Sequence, residues 1–372
     1  LTNLRRLYEL QGQSPWLDDL PRTYLRDGTL SRYVEAGIRG VTANPTILAK
    51  AIEGSDVYDE QFSDLIAGGT TVSDAYWDLV IEDVRGALAV LRPTFDSSGG
   101  TDGFVSIEVA PELAHDTDAT IGAARDLHTR IDQPNLMVKI PATAEGIPAI
   151  QAMTAEGHNI NVTLIFSLDR YRQVLEAYRA GLEHFAGAGG QAGSVHSVAS
   201  FFVSRVDVEV DGRLEAIGSA EALGLRGKAA VAQAKLAYRM FRDHLGERAW
   251  IALAEIGAHG QRPLWASTST KNPAYPDTLY VDQLIGPDTV NTLPEITIAN
   301  FEDHGTIART VDQDVDQAAE QLARLEGLGI DMTDVGLTLE AQGVAGFHQS
   351  FAHVLNTLEA KGRRLVKGGA GG

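Results

Sequence analysis

Two patterns of apolar residues alternate along this chain. Short runs of β-branched, aliphatic and aromatic residues are separated by longer stretches whose apolar positions recur at helical spacing. A helix is predicted over 5–11, then a brief apolar run over 14–20 that ends near Asp18 and Asp19. A helix over 29–36 leads into a strand from Ile38 that closes in the polar turn Thr42-Ala43-Asn44-Pro45-Thr46, with Pro45 suited to the first turn of the next helix. Helices follow over 47–67 and 71–91, the second with Ala75, Leu79, Val84 and Leu88 on one face. The run 96–103, rich in Gly and Ser, reads as flexible punctuation. Strands over 104–109, 136–140 and 160–166 then alternate with helices over 118–131, 143–156 and 168–185, the last capped by Ser167. After the glycine-rich connector 187–193 come a strand over 195–205, a helix over 223–245, a strand over 264–268 and a helix over 275–285. A last strand over 289–294 precedes helices near 311–326 and 343–361.

Eight candidate strands, near residues 17, 40, 106, 138, 162, 199, 266 and 291, are mostly separated by helices, with no hairpin signal between them. That order predicts a parallel sheet with helices outside. Eight repeats favour an α/β fold of the closed (β/α)8 TIM-barrel type with extra helices over an open doubly wound sheet. No G-x-G-x-x-G follows an early strand, so a dinucleotide fold lacks its anchor. One barrel domain over 1–366 and a flexible glycine-rich tail over 367–372 are expected.

Composition narrows the function classes. A chain of 372 residues, 44% hydrophobic and 22% charged, can bury one large core or two modest domains. No apolar run is long enough for a membrane span, and Asn3, Arg5, Arg6, Glu9 and Gln11 interrupt any apolar leader, so neither membrane partner nor signal peptide is expected. The absence of cysteine excludes disulfides, thiolate nucleophiles and thiolate metal ligands, and suits a cytoplasmic enzyme. The formal charge of -19 argues against a nucleic-acid partner. It also means that an anionic substrate would need local cations or helix N-termini to bind. Such a surface suits a monomer or a homodimer alike.

The candidate chemistry centres on Leu136-Met137-Val138-Lys139-Ile140-Pro141, an apolar strand with one lysine inside it. A buried ammonium must be paired, or lose its proton and act as a nucleophile. In a barrel the chemistry sits at the C-terminal strand ends. The polar residues there are Asp18, Asn44, Glu108, Lys139, Asn161, Thr163, Ser200, Arg205, Ser269 and Lys271. Each has an ordinary alternative: Asp18 or Asp19 as a capping acid, Asn44 as a turn residue, Thr163 as a β-former, Arg205 as a rim charge. Together, a lysine with two carboxylates and two carboxamides makes a poor core but a plausible pocket. Without metal ligands or a cofactor motif nearby, such a lysine points to Schiff-base chemistry on a carbonyl substrate. Two carboxylates would serve its proton transfers. The histidines show no ligand spacing, with His348 and His353 five apart, so no metal is expected, and without a cofactor motif no organic cofactor is expected either.

Several stretches, in order, resemble the transaldolase family. They are Leu17-Asp18, Val41-Thr42-Ala43-Asn44-Pro45-Thr46, Ser106-Ile107-Glu108-Val109, Val138-Lys139-Ile140-Pro141, Asn161-Val162-Thr163-Leu164-Ile165-Phe166-Ser167 and Ala199-Ser200-Phe201-Phe202-Val203-Ser204-Arg205. The run 265–273 and the chain length resemble the family's longer bacterial subgroup. The resemblance implies a (β/α)8 barrel that moves a dihydroxyacetone unit between sugar phosphates in the non-oxidative pentose phosphate pathway. It implies Lys139 as the Schiff-base residue, and Glu108, through a water placed with Thr163, as the proton shuttle. Asp18 would be the acid–base at the cleaved bond. Asn44 and Asn161 would hold the dihydroxyacetone hydroxyls, with Ser200 lining the same cavity. Arg205, Ser269 and Lys271 would bind phosphate. Lys271 stands where shorter members have arginine, trading a bidentate fork for a point charge. Phe202 and Glu108 stand where related simple aldolases carry tyrosine and glutamine, which favours transfer over free aldol cleavage. A fructose-6-phosphate or other Schiff-base aldolase is the nearest alternative, and a non-catalytic sugar-phosphate binding protein the alternative of another class.

Overall fold

Each short apolar run forms a strand in the computed structural model, which describes residues 1–369. The strands are β1 (Gln13–Leu17), β2 (Gly40–Thr42), β3 (Phe104–Glu108), β4 (Leu136–Pro141), β5 (Ile160–Ile165), β6 (Ser197–Phe202), β7 (Arg262–Ala266) and β8 (Thr289–Leu293). They pair in parallel and in chain order, and β8 returns to β1 to close the barrel. Helices cover the outside, so nearly every strand residue is buried. This is why the strands read as continuous apolar runs rather than alternating ones. No helix among the described residues is long and apolar enough to cross a membrane.

The N-terminal end of the barrel is plugged. The buried Asp102 carboxylate accepts from Ser14 at 2.6 Å, Arg39 at 2.8 Å, Arg262 at 3.2 Å and the Trp16 indole at 3.3 Å. Two guanidiniums and two neutral donors satisfy this buried charge. Trp16 fills the floor so closely that a Cβ on Gly40 would stand 2.4 Å from its ring, which is why β2 begins with glycine. The cavity that holds the candidate site lies at the opposite, C-terminal end.

Several predicted boundaries differ. The strand expected over 195–205 ends at Phe202, because Val203 turns into the helical region (φ -106, ψ -72) and Ser204–Ile217 is a helix. Arg205 thus sits in a first helical turn, not on a strand. The helix expected over 47–67 is two, Pro45–Glu53 and Asp59–Ala67, separated at Gly54 and a capping Ser55. Val72–Ser97 continues through Pro93 and absorbs the start of the expected loop at 96–103. Of the helix expected over 275–285 only Leu279–Asp282 forms; Tyr275 lies before it with its hydroxyl tied to Asp211, and Tyr280 lies within it with its hydroxyl tied to Asp207. Glu295–His304 is a helix that the pattern had not shown. The C-terminal helix spans Met332–Gly369, so the expected tail begins inside it, and 370–372 lie outside the described residues.

Candidate active site

Register brings the central residues together. Glu108 on β3 lies opposite Lys139 on β4, and Lys139 lies opposite Asn161 on β5. Lys139 Nζ is 3.6 Å from Glu108 Oε2, with the two side chains only 5% and 1% exposed. That distance exceeds a hydrogen bond, so the attraction is electrostatic, and both Glu108 oxygens are without a hydrogen-bond partner. Burial pushes the Glu108 carboxyl up to about 7, against the opposing pull of Lys139. A carboxyl so placed can give or take a proton near neutral pH.

A cavity of about 510 Å³ opens above this pair. It is lined by Lys139, Asp18, Asn44, Ser200, Phe202, Arg205, Ser269 and Lys271, which are eight of the eleven residues picked from the sequence. The other three, Glu108, Asn161 and Thr163, are buried in the wall around Lys139 rather than on the cavity surface. Asn161 is held at both ends: its Nδ2 donates to Ser106 Oγ at 2.9 Å, and Ser200 Oγ donates to its Oδ1 at 2.7 Å. Thr163 Oγ1 is buried without a partner. It sits where β5 bulges against β6, just before Leu164, whose φ of 58 is unusual for a branched side chain. Backbone in this state tends to persist where it aims a functional group.

Asp18 leaves the end of β1, where its Oδ1 accepts the Thr42 hydroxyl at 2.8 Å. Thr42 in turn lies 2.6 Å from the Thr292 hydroxyl, giving a short hydroxyl chain behind the carboxylate. Burial raises the Asp18 carboxyl, opposed by Lys139, Thr42 and Lys271. Asn44 does both things that the sequence left open. Its Oδ1 caps helix Pro45–Glu53 by accepting from the Thr46 and Ile47 amides at 3.0 Å each, and its residue faces the cavity. Its Nδ2 remains as a donor.

The far side of the cavity is cationic. Arg205 makes no ion pair or side-chain hydrogen bond among the described residues, only a contact of its guanidinium with the Phe202 ring, 5.5 Å from the centroid. Lys271 donates to Ser269 at 2.5 Å. Partial burial, followed by the charge of Arg205, holds the Lys271 ammonium below its ordinary value. Unpaired cations turned inward in a chain of charge -19 favour an anionic ligand.

Some lining residues were not visible in the sequence. Lys50 reads as a solvent-facing lysine on a helix, yet its helix places it on the cavity rim beside Asp19. Phe347 reaches the lining from the C-terminal helix, which hydrogen-bonds back through Ser350 to Thr46 at 2.9 Å. Thr42 reads as a turn residue and Thr292 as an ordinary strand residue. Only the spatial order of the loops could have selected these four.

Fold and site define a class: a (β/α)8-barrel enzyme with a buried lysine at the base of its pocket. The chain belongs to the transaldolase/fructose-6-phosphate aldolase family, whose model matches residues 15–358. It is 50% identical over 347 residues to a transaldolase of Thermobifida fusca (strain YX), covering 93% of this chain and 94% of that one. It is 49% identical over 349 residues to a transaldolase of Parafrankia sp. (strain EAN1pec), covering 93% and 95%. A transaldolase of Mycobacterium ulcerans (strain Agy99) is 49% identical over 359 residues, covering 96% of each chain.

The Glu108 shift gives a thermodynamic check. The folded carboxyl titrates near 7 against an ordinary 4.5, so the folded state holds this proton more tightly than the unfolded state does. Its contribution to stability is therefore full below about pH 4.5 and lost as pH rises towards 7. Glu108→Gln removes only this dependence, since other raised acids such as Asp83 and Asp207 remain in both proteins. The melting temperature of the variant, minus that of the natural chain, is expected to rise from pH 4.5 to 7 and then level. A difference that stays flat across that range would show that Glu108 is not shifted.

Proposed function

We propose that this chain is a transaldolase that carries a three-carbon dihydroxyacetone unit on Lys139, from a ketose phosphate such as sedoheptulose 7-phosphate to an aldose phosphate such as glyceraldehyde 3-phosphate. The observation that carries the reading is the buried Lys139–Glu108 pair at 3.6 Å beneath a cavity whose far rim is cationic. The unprotonated amine attacks the ketone, and the carbinolamine loses water to leave an iminium. Glu108 supplies and recovers the protons of these steps. Thr163 assists by holding a water, since both residues carry buried oxygens without protein partners. The iminium draws electrons from the C3–C4 bond, and Asp18 takes the proton of the C4 hydroxyl as that bond breaks. The aldose leaves, and the enamine attacks the incoming aldehyde as Asp18 returns the proton. Asn44 and Asn161 hold the hydroxyls of the carried unit. Arg205, Ser269, Lys271 and, at the rim, Lys50 hold phosphate.

Transfer requires that the enamine not be protonated before the acceptor arrives. Phe202 presents an apolar ring to the cavity, packed on Phe166 at 4.9 Å between centroids, and offers no proton. The test is dependence on acceptor. With sedoheptulose 7-phosphate alone, no sustained release of dihydroxyacetone is expected. Adding glyceraldehyde 3-phosphate should produce erythrose 4-phosphate and fructose 6-phosphate in equal amounts. Steady dihydroxyacetone release without an acceptor would make the enzyme an aldolase instead.

A further inference from the structure

The connection between β7 and β8 carries Ser269 and Lys271 to the cavity, and it is tied on both sides of them to one helix, Ser204–Ile217. At its start, the Ser204 amide donates to Ser267 O at 3.0 Å and the two serine hydroxyls meet at 2.8 Å. Further along, the connection hangs on helix Ser204–Ile217, the same helix that begins beside Arg205. Asp207 and Asp211, four residues apart on one face of that helix, are both buried. Asp207 accepts the Tyr280 hydroxyl and the Ala230 amide, each at 2.8 Å. Asp211 accepts the Tyr275 hydroxyl at 2.6 Å and the Gly227 amide at 2.8 Å. Gly227 has φ +70, and a Cβ there would lie 2.7 Å from the Tyr275 ring, so bare backbone forms the seat of that ring.

Tyr275 stands only four residues beyond Lys271, and Thr270 Oγ1 donates to Pro276 O at 2.8 Å. That bond closes 270–276 into one unit, so a shift of Tyr275 is passed to Lys271. Lys271 and Arg205 are like charges lining one cavity, so holding them at a fixed spacing calls for a restraint. We propose that the Asp211–Tyr275 hydrogen bond is a positioning pair, which holds Ser269 and Lys271 at working distance from Arg205 and so sets how tightly phosphate-bearing substrates bind. The proposal rests on the reading of this rim as the phosphate end of the cavity.

The test compares steady-state kinetics on phosphorylated and unphosphorylated substrates, using fructose 6-phosphate with erythrose 4-phosphate, and fructose with glyceraldehyde. Tyr275→Phe is expected to raise KM for fructose 6-phosphate about tenfold, the size of one charge-assisted hydrogen bond, with kcat changed less than about twofold. The inhibition constant of inorganic phosphate should rise in parallel, and turnover of the unphosphorylated pair should not change. Asp211→Asn is the rescue variant: its Nδ2 donates to the tyrosine oxygen while its Oδ1 keeps the Gly227 amide, so KM should stay within about twofold of the natural chain. The proposal is overturned if Tyr275→Phe leaves the phosphate constants unmoved, or lowers both substrate pairs equally. It is also overturned if Asp211→Asn raises KM by more than about fivefold, a result readable even were the tyrosine variant to misfold. If the natural chain does not prefer fructose 6-phosphate to fructose, the phosphate reading fails instead, which is a separate outcome.

Discussion

Replacing Lys139 with methionine is expected to reduce turnover by at least about 10⁴-fold while leaving the barrel folded, since removing a covalent nucleophile leaves only binding and positioning. Breaking a buried ion pair by deleting one partner is ordinarily costly, about 3–5 kcal/mol, because the other charge is stranded. Here the stranded partner has an escape. Glu108 already titrates near 7 with the lysine present, and losing the Lys139 charge raises it further, so the carboxyl neutralises rather than remaining as a bare anion. Methionine has nearly the volume and flexibility of the lysine stem, so it fills the space beside Glu108 and Asn161 without leaving a void. The variant should show an unchanged circular dichroism spectrum, no turnover and no reductive trapping with fructose 6-phosphate. A folded variant that kept more than about one per cent of the rate would remove Lys139 from the chemistry.

The second large effect separates bond breaking from adduct formation. Asp18→Asn should leave Schiff-base formation within about threefold and reduce C–C cleavage by about 10²–10⁴-fold, the range of a general acid–base residue. The substitution is conservative in geometry, because the asparagine oxygen can still accept the Thr42 hydroxyl that reaches Asp18 at 2.8 Å. It removes the site that receives the C4 proton. Borohydride trapping followed by mass spectrometry reads the first step, and single-turnover release of the aldose reads the second. Equal loss of both steps would make Asp18 a structural residue.

The central pair was legible because a charged residue inside an apolar run is conspicuous, and parallel pairing in chain order sets strand ends side by side. Lys139 and Glu108 needed little more than that. Arg205 lines the cavity from a helix rather than from the expected strand: a strand pattern through Val203 runs unbroken into the first turn of a helix, and nothing local marks the change. Lys50 could not be found, because helical periodicity separates core from solvent and does not separate solvent from the rim of a pocket. The same holds for Phe347, which joins the cavity only through the long return of the C-terminal helix. Tyr275 falls within the expected helix, yet it lies outside the one that forms, and its hydroxyl is claimed by Asp211, 64 residues earlier. Long-range polar ties of this sort override local pattern.

The most direct measurement is a peptide-mapped mass spectrum of the enzyme after borohydride reduction in the presence of fructose 6-phosphate. The Lys139 Schiff-base mechanism predicts one adduct, a reduced sugar unit on Lys139 alone. Lys50 and Lys271 line the same cavity and are the natural competitors. A label on either of them, with Lys139 unmodified, would contradict it.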